Sequence, residues 1–295
     1  MSAVEGARLR RSTVARRHWV TPRMIRLTLT GDLDDFVDGG TDQHVAFYFY
    51  PAEAIVPAQI DPDRMRALHE FAMPQVRRYT VRRFDPVTRE IDFDVVVHEP
   101  AGLAAAWARD ARVGDPLLWW GPTPAWPLPA ETDTVVMIGD ETALPAIDAT
   151  LAGLPAGVSA TVIAEVAERA DETYLAHHRE RADITWVHRG EPDGNVCEEL
   201  MDAVRSTDAL PQRTAIWAGV EFQTAGALRR WFIGERGFGK DRAFVVSYWI
   251  HGQAQDMRAD ARARERTRRA RAADPQRART HVRAVGSQLP DQLPK

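Results

Sequence analysis

The sequence predicts an antiparallel β domain followed by an α/β domain with a parallel sheet. Three observations carry that prediction. Between residues 12 and 120, short segments rich in Thr, Val, Phe and Tyr alternate in polarity and are separated by turn residues. At Pro122, Pro124, Pro127 and Pro129 the texture changes, and apolar strands then alternate with helical stretches. A length of 295 residues also suits two domains, because domains commonly run about 100–200 residues.

In the first part, Met24 to Leu29 and His44 to Tyr50 read as strands, set apart by the turn pairs Gly31-Asp32 and Gly39-Gly40. Residues 51–72 contain Pro51, Pro57 and Pro62 and read as a loop with a short helix. Arg78 to Arg83 reads as a strand and Asp85-Pro86 as a turn. In the strand Glu90 to His98, Ile91, Phe93, Val95 and Val97 alternate with Asp92, Asp94 and Val96. Ala101 to Ala111 reads as a short helix and Pro116 to Trp120 as a strand. That pattern makes a barrel or a sandwich.

In the second part, Thr134 to Ile138 is a continuous apolar run, as in a parallel strand buried on both faces. Helices are expected at Glu141 to Leu154, Val196 to Ser206 and Gln223 to Arg236. Strands are expected at Val158 to Val166, Ile184 to His188, Arg213 to Ala218 and Ala243 to Trp249. The expected organisation is residues 1–128, residues 129–257, and a basic Ala/Arg-rich tail at 258–295.

Composition narrows the function classes. No apolar run approaches the ~18 residues of a membrane helix, and the Arg-rich start lacks the apolar core of a secretory signal. The single cysteine, Cys197, excludes an intramolecular disulfide and fits a reducing cytoplasm. The formal net charge is −4, yet residues 258–295 carry +7, leaving −11 on the rest. An acidic body disfavours a phosphate-backbone partner, and no aromatics accompany the tail's arginines to stack on bases. The tail reads as a solvated helix, a disordered segment, or a segment folded back on the acidic body. The expectation is a cytoplasmic monomer or weak dimer, with no nucleic-acid partner and no membrane insertion.

Chemistry concentrates in a few segments. In Arg77-Arg78-Tyr79-Thr80, residues two apart on a strand share a face, so Arg77 and Tyr79 point together. An aromatic wall, a ring-edge hydroxyl and a cation are what a flavin needs. Further on, His98 ends a strand, and Gly102, Ala104 and Trp107 open a helix whose free N–H groups suit an anion. Trp107 reads first as a core anchor and second as a ring-stacking residue; His98 reads first as structural. In Met137 to Ile147, a strand runs into Gly139-Asp140-Glu141-Thr142-Ala143-Leu144-Pro145-Ala146, a glycine turn and a helix start with Thr142 as candidate N-cap. His177-His178 suggests a metal, but neighbouring helix positions diverge and no third ligand stands at a suitable spacing. No metal site is therefore expected.

These segments together resemble the siderophore-interacting protein family, within the ferredoxin–NADP reductase-like flavoproteins. The match rests on Arg-x-Tyr-Thr, on Gly-Asp-Glu-Thr-Ala-Leu-Pro-Ala, on Trp217-Ala218-Gly219 with Glu221, and on Tyr248-Trp249 with Gly252. It departs at Glu99, Leu103, Val220 and Ile250, the last standing where the family has arginine. The resemblance implies an FAD-binding β-barrel followed by an NAD(P)H-binding α/β domain. It implies electron transfer from NADH or NADPH through FAD to a ferric siderophore, releasing Fe(II). Tyr79 and Thr80 are then the candidate catalytic residues. Arg77, Tyr79, Thr80, His98, Gly102, Ala104, Trp107, Asp140, Thr142, Ala143, Glu165 and Glu221 are the candidate cofactor contacts, and Arg82, Arg83 and His251 face the substrate. Glu165, at the end of the second α/β strand, favours NADH because an acid there repels a 2′-phosphate; nearby Arg169 argues the other way. The alternatives are a flavin reductase with another acceptor and a non-catalytic ferric-chelate-binding protein.

Overall fold

Two sheets organise the chain in a computed structural model, which describes residues 6–51, 53–56, 62–123, 126–189, 197–207 and 210–252. The tail lies outside the described residues, and with it every expectation placed there. No helix among the described residues is long and apolar enough to cross a membrane.

The first sheet has seven antiparallel strands: β1 (Arg8–Thr21), β2 (Met24–Gly31), β3 (His44–Phe49), β4 (Gln75–Thr80), β5 (Arg83–Asp85), β6 (Glu90–Val96) and β7 (Pro116–Gly121). Their order is β4-β3-β7-β1-β2-β6-β5. Only Val81 and Arg82 join β4 to β5, although these strands are the two edges. Three Cα steps span about 11 Å at full extension, so the sheet curls into a barrel-like shape that stops short of closure. The Arg82 N–H reaches back to the Asp92 carbonyl of β6 at 2.9 Å. Inside the curl lie Ile25, Leu27, Leu29, Phe47, Ile91, Phe93 and Trp119. Helix α1 (Pro62–Phe71) lies between β3 and β4, and α2 (Leu103–Asp110) between β6 and β7. Strand β6 ends at Val96, two residues before the expected His98, which is exposed.

The second sheet is parallel: β8 (Thr134–Gly139), β9 (Ser159–Val166), β10 (Asp183–His188), β11 (Thr214–Glu221) and β12 (Ala243–Trp249), in the order β10-β9-β8-β11-β12. This is a doubly wound arrangement, as β-strand and helix alternation requires. Strand β8 shows why its apolar run is continuous. Val135 and Met137 face α3 (Leu144–Gly153) and the 3-10 helix Arg169–His178, while Val136 and Ile138 face α4 (Glu198–Arg205) and α5 (Phe222–Arg229). The helix expected over Gln223 to Arg236 divides into α5 and a π-helical stretch, Arg230–Glu235. Sequence periodicity gave no sign of the 3-10 helix.

The two sheets share a seam. Met24 of β2 packs in the same apolar cluster as Val135, Leu144 and Leu175. Around it, three buried carboxylates fasten one half to the other. Asp42 accepts from Trp217 Nε1 at 3.3 Å and from the Tyr248 hydroxyl. Asp94 accepts two bonds from Arg26, at 2.8 and 2.7 Å, and one from the Tyr174 hydroxyl. Asp148 of α3 pairs with Arg82. This seam explains why the alternation in β6 does not turn Asp94 to solvent, and neighbours within the antiparallel sheet cover Asp92. Both are buried, Asp92 against the Thr28 hydroxyl at 2.7 Å and Arg83 at 3.1 Å.

Candidate functional site

A doubly wound sheet presents its crevice where the strand order reverses, at the carboxyl ends of the strands. Here that point lies between β8 and β11, where Gly139 and Gly219 pair across the ladder. Both glycines are needed for close packing by the chain itself. A Cβ on Gly139 would lie 2.6 Å from the Ala143 Cβ, and one on Gly219 would lie 2.8 Å from the Trp217 ring.

Asp140 follows Gly139 and is buried. Its Oδ1 accepts from the Thr142 N–H at 2.9 Å and from the Thr142 hydroxyl at 2.5 Å, while Oδ2 accepts from Trp249 Nε1 at 2.7 Å. Thr142 is therefore not the N-cap of α3. That position falls to Ala143, without a side-chain bond, because Asp140 has already engaged the threonine hydroxyl. Burial, and next the charge of Glu141, push the Asp140 carboxyl up to about 7.

On the facing side, Thr80 ends β4 and is buried. It pairs with His44 of β3, two residues past Asp42, whose carboxylate accepts from the Tyr248 hydroxyl of β12. The Tyr248–Asp42–Trp217 link thus crosses from the antiparallel half to the parallel sheet. Burial pushes Asp42 up to about 6 against the opposing bonds from Tyr248 and Trp217. Burial, then the Asp42 charge, hold the Tyr248 phenol far above its ordinary range, so it remains a donor. Asp42 adopts a φ of 53°, a conformation that Asp tolerates better than most residues. His44 pairs with Thr80 across β3 and β4, and burial lowers its pKa.

The remaining expected cofactor residues fall in two groups. In the first, Arg77 and Tyr79 share a face of β4, and Tyr79 packs on Phe47 with ring centres 4.9 Å apart. Trp107 packs on Phe49 at 5.7 Å and joins the barrel cluster, the core-anchor reading. Gly102 opens α2 with no side-chain cap, and a Cβ there would meet nothing within 4 Å. The first turn carries no acid, and Ala104 is small and buried. Glu99 is drawn toward Arg109, in the last turn of α2, at 3.4 Å. This uncapped helix start, the aromatic face and the adjacent arginine suit the diphosphate and ring of FAD.

In the second group, Glu221 caps α5 by accepting from the N–H groups of Gln223 and Thr224, and its Oε1 accepts from the His251 N–H at 3.2 Å. Glu165 is buried and bound to Arg189 at 2.9 Å, and Arg189 also holds Glu141 with two bonds of 2.8 Å. Arg169 stands at the start of the 3-10 helix, its side chain exposed beside Glu172.

The three residues expected at the substrate are not brought together. Arg82 is turned to Asp148, Arg83 is held by Asp92 and Asp85, and His251 lies past the end of β12. Sequence reasoning missed Asp42, Arg189 and Glu141 as site residues. Only Glu141 sits inside a conspicuous motif; the others gain their partners through tertiary contact. It also misjudged His177 and His178, which converge rather than diverge: both Nε2 atoms meet Asp148 Oδ1, at 2.7 and 2.8 Å.

Residues 13–126 match the family model described as the siderophore-interacting FAD-binding domain, and residues 132–252 the one described as siderophore-interacting protein. An uncharacterized protein of Mycobacterium tuberculosis is 33% identical over 258 residues, covering 83% of this chain and 90% of that protein. The ferric vibriobactin reductase of Vibrio cholerae is 29% identical over 248 residues, covering 82% and 89%. The crystal structure of a siderophore utilization protein from T. fusca superposes with a TM-score of 0.71 at 34% identity, covering 84% of this chain and 95% of that one.

Proposed function

This chain belongs to the siderophore-interacting protein family, and on that premise we propose that it is an FAD-containing, NAD(P)H-dependent ferric-siderophore reductase. The observation that carries the reading is the Tyr248–Asp42 hydrogen bond, made two residues before His44, which pairs with Thr80. It sets the end of the flavin-type strand β4 against the carboxyl edge of the parallel sheet, where a dinucleotide docks. Bound FAD, held by Arg77, Tyr79 and Thr80, would supply exchange between the two-electron chemistry of NAD(P)H and the one-electron chemistry of iron, so one NAD(P)H would serve two ferric chelates. The protein supplies binding, orientation and tuning. Residues 1–128 hold the flavin and residues 129–257 the nicotinamide nucleotide.

In this reading Arg77 would pair with the flavin phosphates and Tyr79 would offer its ring as a wall for the flavin. Thr80, buried at the end of β4, would meet the ring edge. The neutral Tyr248 phenol and the Asp140–Trp249 bond order the opposite wall. Reduction releases iron because hard oxygen donors hold Fe(III) better than Fe(II).

The test is spectroscopic. Purified protein reconstituted with FAD should turn yellow, be bleached anaerobically by NAD(P)H, and recover its colour on adding a ferric siderophore, with two Fe(II) trapped per NAD(P)H. Protein that retains no FAD yet binds the ferric chelate would be a binding protein and would end the reading. Bleaching without reoxidation by any ferric chelate would point to another acceptor.

A further inference from the structure

Outside the flavin site, one side-chain cluster has no place in the reaction just described. Asp148 lies on α3, fully buried, and His177 and His178 end the 3-10 helix packed beside it. Both imidazole Nε2 atoms approach the same oxygen, Asp148 Oδ1, at 2.7 and 2.8 Å, and the rings stand 4.1 Å apart. All three ligating atoms lie within 4.8 Å of one another. Arg82 takes the other oxygen, Oδ2. Successive residues of a 3-10 helix project about 120° apart, and here the carboxylate stands in the wedge between them and gathers both rings.

We propose that Asp148, His177 and His178 form a binding site for a divalent first-row metal ion, and that the ion it takes is Fe(II) released by the reductase. Two imidazoles and one carboxylate with open positions are the donor set that suits non-haem Fe(II). The spacing fits as well. Two donors at right angles, each about 2.1 Å from a metal, stand about 3 Å apart, close to the separations found here. Arg82, as the ion-pair partner of Oδ2, leaves Oδ1 to the metal. Asp148 is 0% and His178 9% exposed, while His177 is 54% exposed, so one ligand faces solvent and offers the way in and out. The charge balance bears on residence. One carboxylate and one guanidinium cancel, so a dication meets a site of no net charge and is held loosely, as suits a passing product.

The metal site stands on the side chains alone, whereas the identity of the ion as Fe(II) rests on the reductase reading. The experiment therefore separates them. The FAD-loaded full-length chain is dialysed anaerobically against Co(II) and, separately, Fe(II) salts, with visible absorption of Co(II) as the coordination signature. NAD(P)H-driven ferric-chelate reduction is measured in parallel. Wild type should bind one ion per chain. His177→Ala, a change at a half-exposed position, should weaken Co(II) and Fe(II) at least about tenfold and leave FAD content and ferric reduction unchanged. His178→Ala should abolish the Co(II) spectrum. No saturable ion, or equal affinity in His177→Ala, would overturn the site. Stoichiometric Zn(II) retained in the purified chain would overturn the cargo role. Co(II) binding that requires His177, in a chain with no ferric reduction, would end the reductase reading and the Fe(II) assignment while the metal site stands.

Discussion

Replacing Tyr248 with Phe removes one oxygen and isolates the hydrogen-bond chain that joins the two sheets. The phenol donates to Asp42, a buried carboxylate already pushed up to about 6. An ordinary Asp titrates near 3.9, so the folded protein takes up a proton that the unfolded chain releases between about pH 4 and pH 6. Wild-type stability attributable to Asp42 therefore falls as pH rises through that window. About two units at 1.36 kcal/mol each give a cost of about 3 kcal/mol above pH 6. In Tyr248→Phe the ionised form loses its better donor and keeps only Trp217 at 3.3 Å. A hydrogen bond to a charged group is worth about 1.5–3 kcal/mol, against about 1 kcal/mol for a neutral pair. The variant should lose about 1 kcal/mol at pH 5, where Asp42 is protonated, and about 2–3 kcal/mol at pH 9. Its folded pKa should rise by about 0.7 to 1.5 units. Urea unfolding of FAD-saturated protein at pH 5, 7 and 9, followed by tryptophan fluorescence, measures the difference. A destabilisation that is the same at all three pH values, or larger at pH 5, would refute the carboxylate–phenol pairing.

Arg77→Ala should weaken FAD about 10- to 150-fold, the equivalent of a charge-assisted bond of about 1.5–3 kcal/mol, as read by flavin fluorescence titration. Steady-state rates should favour NADH over NADPH, because Arg189, the cation beside Glu165, is already held by Glu141 and Glu165; a tenfold NADPH preference would contradict this. Among ferric chelates a hydroxamate should show a lower KM than a tris-catecholate, since position 250 is the apolar Ile250 and Arg82 and Arg83 are bound to carboxylates. Gly139→Ala should overpack against Ala143 and cost about 1–3 kcal/mol, read as a fall in Tm of a few degrees.

The alternation of polarity along β6 and the unbroken apolar run of β8 were legible because each depends on local residues and one period. The same locality limited the reading elsewhere. The polar side of β6 reads as solvent-facing until Arg26 and Tyr174 arrive from positions 68 and 80 residues away to cover Asp94. Thr142 has the chemistry of an N-cap, but the competing acceptor two residues earlier captures its hydroxyl. Arg82 lies next to the flavin-type strand in sequence, yet it faces α3 because the chain turns between the sheet edges at that point. Asp42 carried no local signal at all. Its partners lie 175 and 206 residues away. Motif matching located the strand ends and turns of the site, and tertiary contact decided which acids and bases meet there.

The seam carboxylates also bear on recombining this chain with its relatives. Asp42 and Asp94 fasten to Trp217, Tyr248 and Tyr174, while Asp148 fastens to Arg82. A chimera spliced between residues 126 and 132, with a foreign second half lacking those partners, would strand ionised groups in the interior. Removing Arg82's partner from the buried ion pair with Asp148 costs about 3–5 kcal/mol, and each neutral donor lost from Asp42 or Asp94 about 1.5–3 kcal/mol, against a total stability of about 5–15 kcal/mol for a typical protein. The loss of all three clasps together would suffice to unfold it. The halves are therefore exchangeable only together with the residues that clasp them, and a library of hybrids should survive in proportion to how many of the three clasps each hybrid keeps.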